Sequence, residues 1–195
     1  MVKILFATHN ANKTKEIRAV LPENYSMLTL DDLNITEEIP ETADTLEGNA
    51  LLKAQYLYNK YGQPCFADDS GLEVDFLGGA PGVHTARYAG DECDSEKNMQ
   101  KLLGALSGQA NRKARFRTII AYVDGKEQKI FEGIVDGSIA LGKRGTEGFG
   151  YDPVFVPDEA DGRTFAELGL DVKNRISHRA RAMQKFITFL KESTK

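Results

Sequence analysis

The sequence predicts a mixed α/β fold, and three patterns support that prediction. Short apolar or β-branched runs alternate with segments of helical periodicity, as is typical of α/β proteins. Asp124 and Gly125 separate two such runs, which indicates an antiparallel hairpin. The earlier runs are separated by helical segments, as parallel crossovers require. We therefore expect a sheet with both strand directions, in one domain or two tightly joined lobes.

The strands are predicted from runs of apolar and β-branched residues. Four of them are expected at residues 2–7, 26–30, 114–123 and 129–140. The apolar residues 65–67 are expected to form a short strand that ends before two aspartates, followed by a turn and another short strand. Residues 31–44 are acidic and contain a proline, so they are predicted to be mostly loop.

The helices are predicted from capping residues and from apolar residues at helical spacing. They are expected to begin after Asn10 or Asn12, at Thr45, at Ser95 and near Ser177, and Pro22 is expected to end the first. The apolar face of the first helix is expected to carry Ile17, Val20 and Leu21, and that of the second Ala50, Ala54, Leu57, Tyr58 and Tyr61. The apolar face of the third is expected to carry Met99, Leu102, Leu103 and Leu106, and that of the last Met183, Phe186, Ile187 and Leu190.

Composition and charge restrict the possible functions. The chain has 195 residues and a formal net charge of -4, which disfavours binding to nucleic acid polymers. Its two cysteines show no CxxC spacing, which suits a reducing compartment. No apolar stretch is long enough for a signal peptide or a membrane span, so a soluble cytoplasmic protein without a membrane partner is expected.

The segment "THNANK", residues 8–13, follows the first strand and precedes a helix. A strand-to-helix loop directs backbone N–H groups and the positive end of the helix dipole toward a bound anion. Polar side chains and Lys13 add further donors, which favours a phosphate site, although the "GxxxxGK" loop is absent. The alternative is a simple helix cap followed by a surface lysine.

The segment "ADDSG" places Asp68 and Asp69 after an apolar run, at an expected strand end. Ligand sites of open sheets commonly lie at strand ends, and a carboxylate there can bind magnesium or act as a general base. Because neighbouring side chains on a strand point to opposite faces, only one aspartate is expected to enter the site. The alternative is an ordinary turn.

Two further segments combine residues that suit a nucleotide. "GTEGFGYD" offers glycines for close backbone approach and the rings of Phe149 and Tyr151 for stacking, or is a loop whose aromatic rings enter the core. "KNRISHRARA" places His178 and Arg179 just after the predicted cap Ser177, where cations oppose the helix dipole. They either face solvent or require a nearby anion or acceptor.

Four segments resemble, in order and spacing, the inosine/xanthosine triphosphate pyrophosphatase family: "THNANK", "ADDSGLEVDFLGGAPGVHTARYAG", "GFGYDPVF" and "SHRARA". The resemblance covers nearly the whole chain, as one domain over residues 1–195. It implies an elongated two-lobed homodimer with a nucleotide cleft between the lobes. It also implies magnesium, and cleavage of non-standard purine nucleoside triphosphates to the monophosphate and pyrophosphate.

The resemblance also implies roles for individual residues. The triphosphate would be held by Thr8, His9, Asn10, Ala11, Asn12 and Lys13. Asp69 would be the general base and a magnesium ligand, and Ser70 would contact the nucleotide. The base pocket would be lined by Phe149, which stacks, and by Gly150, Tyr151 and Asp152. The purine edge would be contacted by Lys173, His178 and Arg179. The helical position of Lys53, near Asn49, makes it a further phosphate candidate.

The chain departs from the family pattern at three places. His9 stands where many members have glycine, and Gly48 stands where many have glutamate. Glu47 lies one position earlier, about 100° around a helix, so it need not substitute. An "EETG"-like segment is reduced to "PETA", in which Glu41 is the candidate for a second magnesium ligand, with Asp68 behind it.

Two other functions are kept as alternatives. The chain could hydrolyse other modified or standard nucleotides, in which case the surroundings of Phe149 and His178 would have to fit a different base. It could also be a nucleotide-binding sensor without catalysis, which the presence of Asp69 and Lys13 argues against. A purely structural role would not require so many polar residues at loop ends.

Overall fold

The computed structural model describes residues 2–37 and 39–193, without the side chain of Leu170. Its strands are β1 Val2–Phe6, β2 Tyr25–Thr29, β3 Cys65–Val74, β4 Pro81–Gly82, β5 Lys113–Val123, β6 Gln128–Ile139 and β7 Phe155–Pro157. Its helices are α1 Ala11–Arg18, α2 Leu46–Tyr61, α3 Ser95–Ala105, α4 Phe165–Leu168, α5 Leu170–Ile176 and α6 His178–Ser193.

The strands form a mixed sheet, as predicted. Its order is β2-β1-β3-β5-β6-β7, and β4 pairs with β3. β1 runs parallel to β2 and to β3, whereas β4 is antiparallel to β3 and β7 is antiparallel to β6. The hairpin between β5 and β6 turns at Asp124, whose carboxylate accepts from the N–H groups of Lys126 and Glu127. Such a side-chain-to-backbone turn is the local signal that made this hairpin predictable.

The chain forms two compact units. Unit 1 contains the described parts of Met1–Asp69, Thr118–Gly133 and Ala182–Lys195, and unit 2 contains Ser70–Arg117 and Ile134–Arg181. The core of unit 1 includes a stacked pair, Phe6 and Phe66, with ring centroids 4.5 Å apart. In the core of unit 2, Phe116 meets Phe155 edge-on at 4.7 Å. Each unit therefore has an apolar core of its own.

The predicted helix starts are confirmed. Asn10 and Thr45 are the N-caps of α1 and α2, because their side-chain oxygens accept from backbone N–H groups of the first turn. Ser177 accepts from the N–H of Ala180 at the start of α6. The last helix buries the four residues expected of it, Met183, Phe186, Ile187 and Leu190.

Two sequence predictions of local structure are wrong. α1 ends at Arg18, before Pro22, and Val20 is exposed, although Ile17 is buried as expected. The residue before a proline is disfavoured in a helix, and Val20 N–H bonds to Ile17 in a tightened last turn. The second error concerns residues 65–74, which form the single strand β3 in place of the predicted strand, turn and strand.

The sequence contains no apolar stretch long enough to predict a membrane span, and the described helices agree with this prediction. Within residues 2–37 and 39–193, no helix has both the length and the apolar character that crossing a bilayer demands.

The two cysteines are expected to differ in reactivity. Cys65 is buried and its thiol donates to Ala54 O at 2.9 Å, and burial raises the pKa of this thiol to about 12. Because only the thiolate is nucleophilic, Cys65 stays protonated and inert at pH 8, whereas Cys93 is exposed. A chromogenic thiol reagent should titrate one cysteine in the native protein and both after denaturation. Rapid reaction of both native thiols would contradict this assignment.

Candidate active site

The loop before α1 is first of all a helix cap. Asn10 Oδ1 accepts from the N–H groups of Asn12 and Lys13 at 3.0 and 3.1 Å, so the predicted helix cap is confirmed. Thr8 is buried and its hydroxyl accepts from Asn10 N–H. His9 Nδ1 lies 2.7 Å from Asp31 Oδ1. The phosphate role of residues 8–13 stays a prediction, with Ala11 and Asn12 exposed at the helix start.

Lys13 is not the free surface lysine that the alternative assumed. Its ammonium donates to Asp68 Oδ1 at 3.0 Å, and the Asp68 side chain is almost fully buried. Asp68 follows the part of β3 that pairs with β1, where Leu5 faces Cys65 and Phe6 faces Phe66. The strand pairing therefore brings the aspartate next to the start of α1.

Lys53 connects two other acidic residues. It lies on α2, is buried, and donates to Glu41 Oε1 at 2.6 Å, while its Nζ is 3.6 Å from Asp69 Oδ1. Asp69 Oδ2 is buried and has no hydrogen-bond partner among the residues that the structure describes. We refer to Lys13, Glu41, Lys53, Asp68 and Asp69 as the acid–lysine cluster, and all five belong to unit 1.

Both aspartates lie inside β3, which corrects the predictions of a strand end and of a turn. They contact different lysines, as the alternation of side chains along a strand requires. Both also act electrostatically on Lys53, and the expectation that only one of them enters the site stays a prediction. Ser70 and Gly71, which were predicted to turn, are held extended because β3 continues to its pairing with β4 at Leu72.

In the acid–lysine cluster, burial and nearby opposite charges shift the pKa values of Asp69 and Lys53 in opposite directions. Burial raises the pKa of Asp69, and the ammonium groups of Lys53 and Lys13 counteract it, while Glu41 and Asp68 raise it further. For Lys53, burial lowers the pKa, but Asp69, Glu41 and Asp68 raise it more, so its pKa is raised overall. Lys53 therefore stays charged, and a further cation beside Asp69 would favour its ionised form.

The donor set of the acid–lysine cluster fits a hard divalent cation. Within the described part of the chain, no group of three or more His, Cys, Asp or Glu side chains is arranged to hold a metal ion. Magnesium, however, is commonly held by one or two carboxylates together with water and substrate phosphates. Asp69, with its buried Oδ2 lacking a partner, and Glu41 could supply those carboxylates.

A second group of predicted residues lies in unit 2 and centres on Asp152. Asp152 Oδ2 accepts from Phe149 N–H at 2.8 Å and from Lys173 Nζ at 2.6 Å. Gly148 makes room for this carboxylate, because a Cβ on Gly148 would lie 2.1 Å from the same oxygen. One buried carboxylate therefore fixes both the Phe149 backbone and the Lys173 ammonium.

Two cationic side chains lie close to the ring of Phe149. Lys173 Nζ lies 4.3 Å and Arg179 Cζ lies 5.8 Å from the ring centroid. Arg179 also donates to the Ser70 hydroxyl at 3.3 Å. We refer to Ser70, Phe149, Asp152, Lys173 and Arg179 as the Phe149 cluster, and all five belong to unit 2.

His178 and Arg179 are buried, so the alternative of a solvated basic face is wrong. His178 stacks on Phe116 with ring centroids 4.5 Å apart and the rings inclined by 10°. Phe116, which supports His178, was not among the predicted site residues. The alternation of "ARFRTII" would have placed Phe116 on the buried face of β5.

Tyr151 belongs to the apolar core of unit 2. It is buried, and its hydroxyl donates to Thr85 O at 2.9 Å. The alternative in which aromatic residues of this loop enter the core thus holds for Tyr151. Phe149 and Gly150 are half-buried, and their role in lining a base pocket stays a prediction.

An α/β protein that combines buried carboxylates, lysines and a cation-rich aromatic group has the parts of an enzyme acting on nucleotide phosphates. A model of the Ham1 family matches residues 4–189, and the chain belongs to this family. A protein named dITP/XTP pyrophosphatase from Flavobacterium johnsoniae is 54% identical over 190 residues, covering 97% of this chain and 98% of its own. One of the same name from Bacillus subtilis is 45% identical over 194 residues, covering 97% and 98%.

Solved structures agree with the family assignment. The Ham1 protein of Staphylococcus aureus shares 37% identity at a TM-score of 0.90, covering 98% of this chain and 99% of its own. A HAM1 protein from Coxiella burnetii shares 36% identity at a TM-score of 0.91, and the match covers 98% of this chain and 100% of that protein. The described part of the chain therefore has the fold of this family.

Proposed function

We propose that the protein hydrolyses non-standard purine nucleoside triphosphates, dITP and XTP among them, to the monophosphate and pyrophosphate. The names of its relatives support this substrate class. The observation that carries the proposal is Asp69, a buried carboxylate with one oxygen lacking a hydrogen-bond partner among the described residues, next to the ammonium group of Lys53. Such hydrolysis would remove these nucleotides from the cellular pool.

The acid–lysine cluster provides the phosphate chemistry. Asp69 accepts a proton from water as the water oxygen bonds to the α-phosphorus and the bond to the pyrophosphate oxygen breaks. Lys13 and Lys53 carry positive charge that stabilises the phosphate oxygens as negative charge develops on the leaving group. Magnesium, held by Asp69 and Glu41, would neutralise part of the triphosphate charge.

The Phe149 cluster provides a site for a purine base. The ring of Phe149 offers a stacking surface, and nearby Lys173 and Arg179 carry hydrogen-bond donors. Hypoxanthine and xanthine have an acceptor oxygen at position six, whereas adenine has an amino group there. A site of donors would pair with the oxygen and leave adenine mispaired, and a polar site of this kind can discriminate by about 10⁴-fold.

The products of the reaction test the proposal. Phosphorus NMR of dITP turnover with magnesium should show the monophosphate and pyrophosphate appearing together, without the diphosphate. Stepwise release of inorganic phosphate would contradict cleavage at the α-phosphorus. Absence of any turnover by folded protein would favour the sensor alternative, and turnover of other modified nucleotides alone would favour a different base.

The assembly and location that the resemblance implies also stay proposals. We keep a homodimer in the cytoplasm as the expected state. Sedimentation analysis of the purified protein at micromolar concentration should give twice the mass of the 195-residue chain. A monomer at that concentration would contradict the dimer.

A further inference from the structure

The first turn of α2 contains a glycine packed against the segment that carries Glu41. Gly48 does not have a positive φ, so its backbone would accept any residue, and alanine would be the better helix former. A Cβ on Gly48 would, however, lie 2.6 Å from Ala43 Cβ and 3.0 Å from Thr45 Oγ1. The close approach of Ala43, and not the backbone conformation, therefore accounts for this glycine.

The next residue of α2 holds the same segment by a hydrogen bond. Asn49 is buried, and its side-chain oxygen accepts from Ala43 N–H at 2.9 Å. Two residues before Ala43, the carboxylate of Glu41 accepts from Lys53, which lies one helical turn after Asn49. The path of residues 41–43 is thus fixed against α2 at both ends, by packing and by hydrogen bonds.

We propose that Ala43 and Gly48 are a matched packing pair that positions Glu41 beside Lys53 and Asp69 as the second carboxylate of the cation site. The part concerning the cation rests on the proposed function. Gly48 is a positioning residue, because it acts on Glu41 through Ala43. This pair accounts for glycine at position 48, because a side chain there would push Ala43 outward and draw Glu41 away from Lys53.

Replacing Gly48 with alanine tests the packing directly. The added Cβ would lie 2.6 Å from Ala43 Cβ, and the two atoms must separate to an ordinary distance of 3.4 Å or more. This movement of Ala43 disturbs the hydrogen bond from its N–H to the Asn49 side chain. Hydrogen–deuterium exchange of residues 39–45, without metal or nucleotide, should be faster in Gly48→Ala. The magnesium concentration for half-maximal rate should rise by about 10-fold, as for the loss of a residue that orients a metal ligand.

A second variant keeps the test decisive if Gly48→Ala folds poorly. Combining it with Ala43→Gly removes the opposing Cβ, so the double variant should recover slow exchange and the lower magnesium requirement. Gly104→Ala is the matched control, because Gly104 lies in α3 with nothing within 4 Å of an added Cβ. It should leave exchange of residues 39–45 and the magnesium requirement unchanged.

Each outcome separates the inference from the proposed function. Parent-like exchange in Gly48→Ala, or a double variant no better than the single one, would overturn the packing pair. Faster exchange and its rescue, with an unchanged magnesium requirement in an active enzyme, would overturn the role of Glu41 as a cation ligand. A parent enzyme without magnesium-dependent turnover would instead overturn the proposed function, while the exchange data would still decide the packing.

Discussion

Asp69→Asn is expected to lower the rate of pyrophosphate release from dITP by about 10²- to 10⁴-fold, the usual contribution of a general base. Asparagine keeps the shape of the side chain but cannot accept the proton of the attacking water at neutral pH. It also weakens the proposed cation site, because an amide carries no charge. The rate constant at saturating dITP and magnesium is the quantity to compare.

The loss in Asp69→Asn must be separated from misfolding. Circular dichroism and the melting temperature should show a folded variant, because Lys53 keeps its hydrogen bond to Glu41. Asp161→Asn makes the same chemical change at an exposed ion pair with Arg163, and it should retain the parent rate. A rate within tenfold of the parent in folded Asp69→Asn would show that Asp69 is not the base.

Asp152→Asn is expected to destabilise the protein by about 3–5 kcal/mol, the usual effect of breaking a buried ion pair. The side chains of Asp152 and Lys173 are only 4% and 2% exposed, so the lysine would lose its carboxylate in a dry environment. The Phe149 N–H bond to the same oxygen would weaken from a charged to a neutral acceptor. Urea unfolding at neutral pH measures the free energy.

The double variant Asp152→Asn with Lys173→Met provides the control for the buried ion pair. It removes both charges and leaves an amide oxygen for Phe149 N–H, so it should be more stable than Asp152→Asn alone. Asp161→Ala breaks an exposed pair and should leave the unfolding midpoint unchanged. Equal midpoints for Asp152→Asn and the parent would contradict an ion pair buried in unit 2.

Local signals explain most of what the sequence predicted about the fold. The caps Asn10 and Thr45 and the Asp124 turn are formed by residues within three positions of the backbone groups they bond. The helical spacing in α6 was equally informative. Val20 was wrongly predicted to lie on the apolar face of α1. Its helical spacing from Ile17 favoured that prediction, but α1 ends at Arg18, shortened by the nearby Pro22.

The acidic residues of β3 were harder to interpret, because "ADDSG" suits either a turn or a strand. The contacts that settle it are remote in sequence: Lys13 lies 55 residues before Asp68, and Lys53 approaches Asp69 from α2. Burial of His178 likewise depends on Phe116, on a different element. The approach of Ala43 to Gly48 follows from the path of a loop, which no periodicity encodes.

Base selectivity tests the central claim most directly. The measurement is kcat/KM for magnesium-dependent pyrophosphate release from dITP, XTP and ATP by the parent protein. The donors of the Phe149 cluster predict that dITP and XTP exceed ATP by about 10⁴-fold. Equal values for all three nucleotides would contradict base recognition by that cluster.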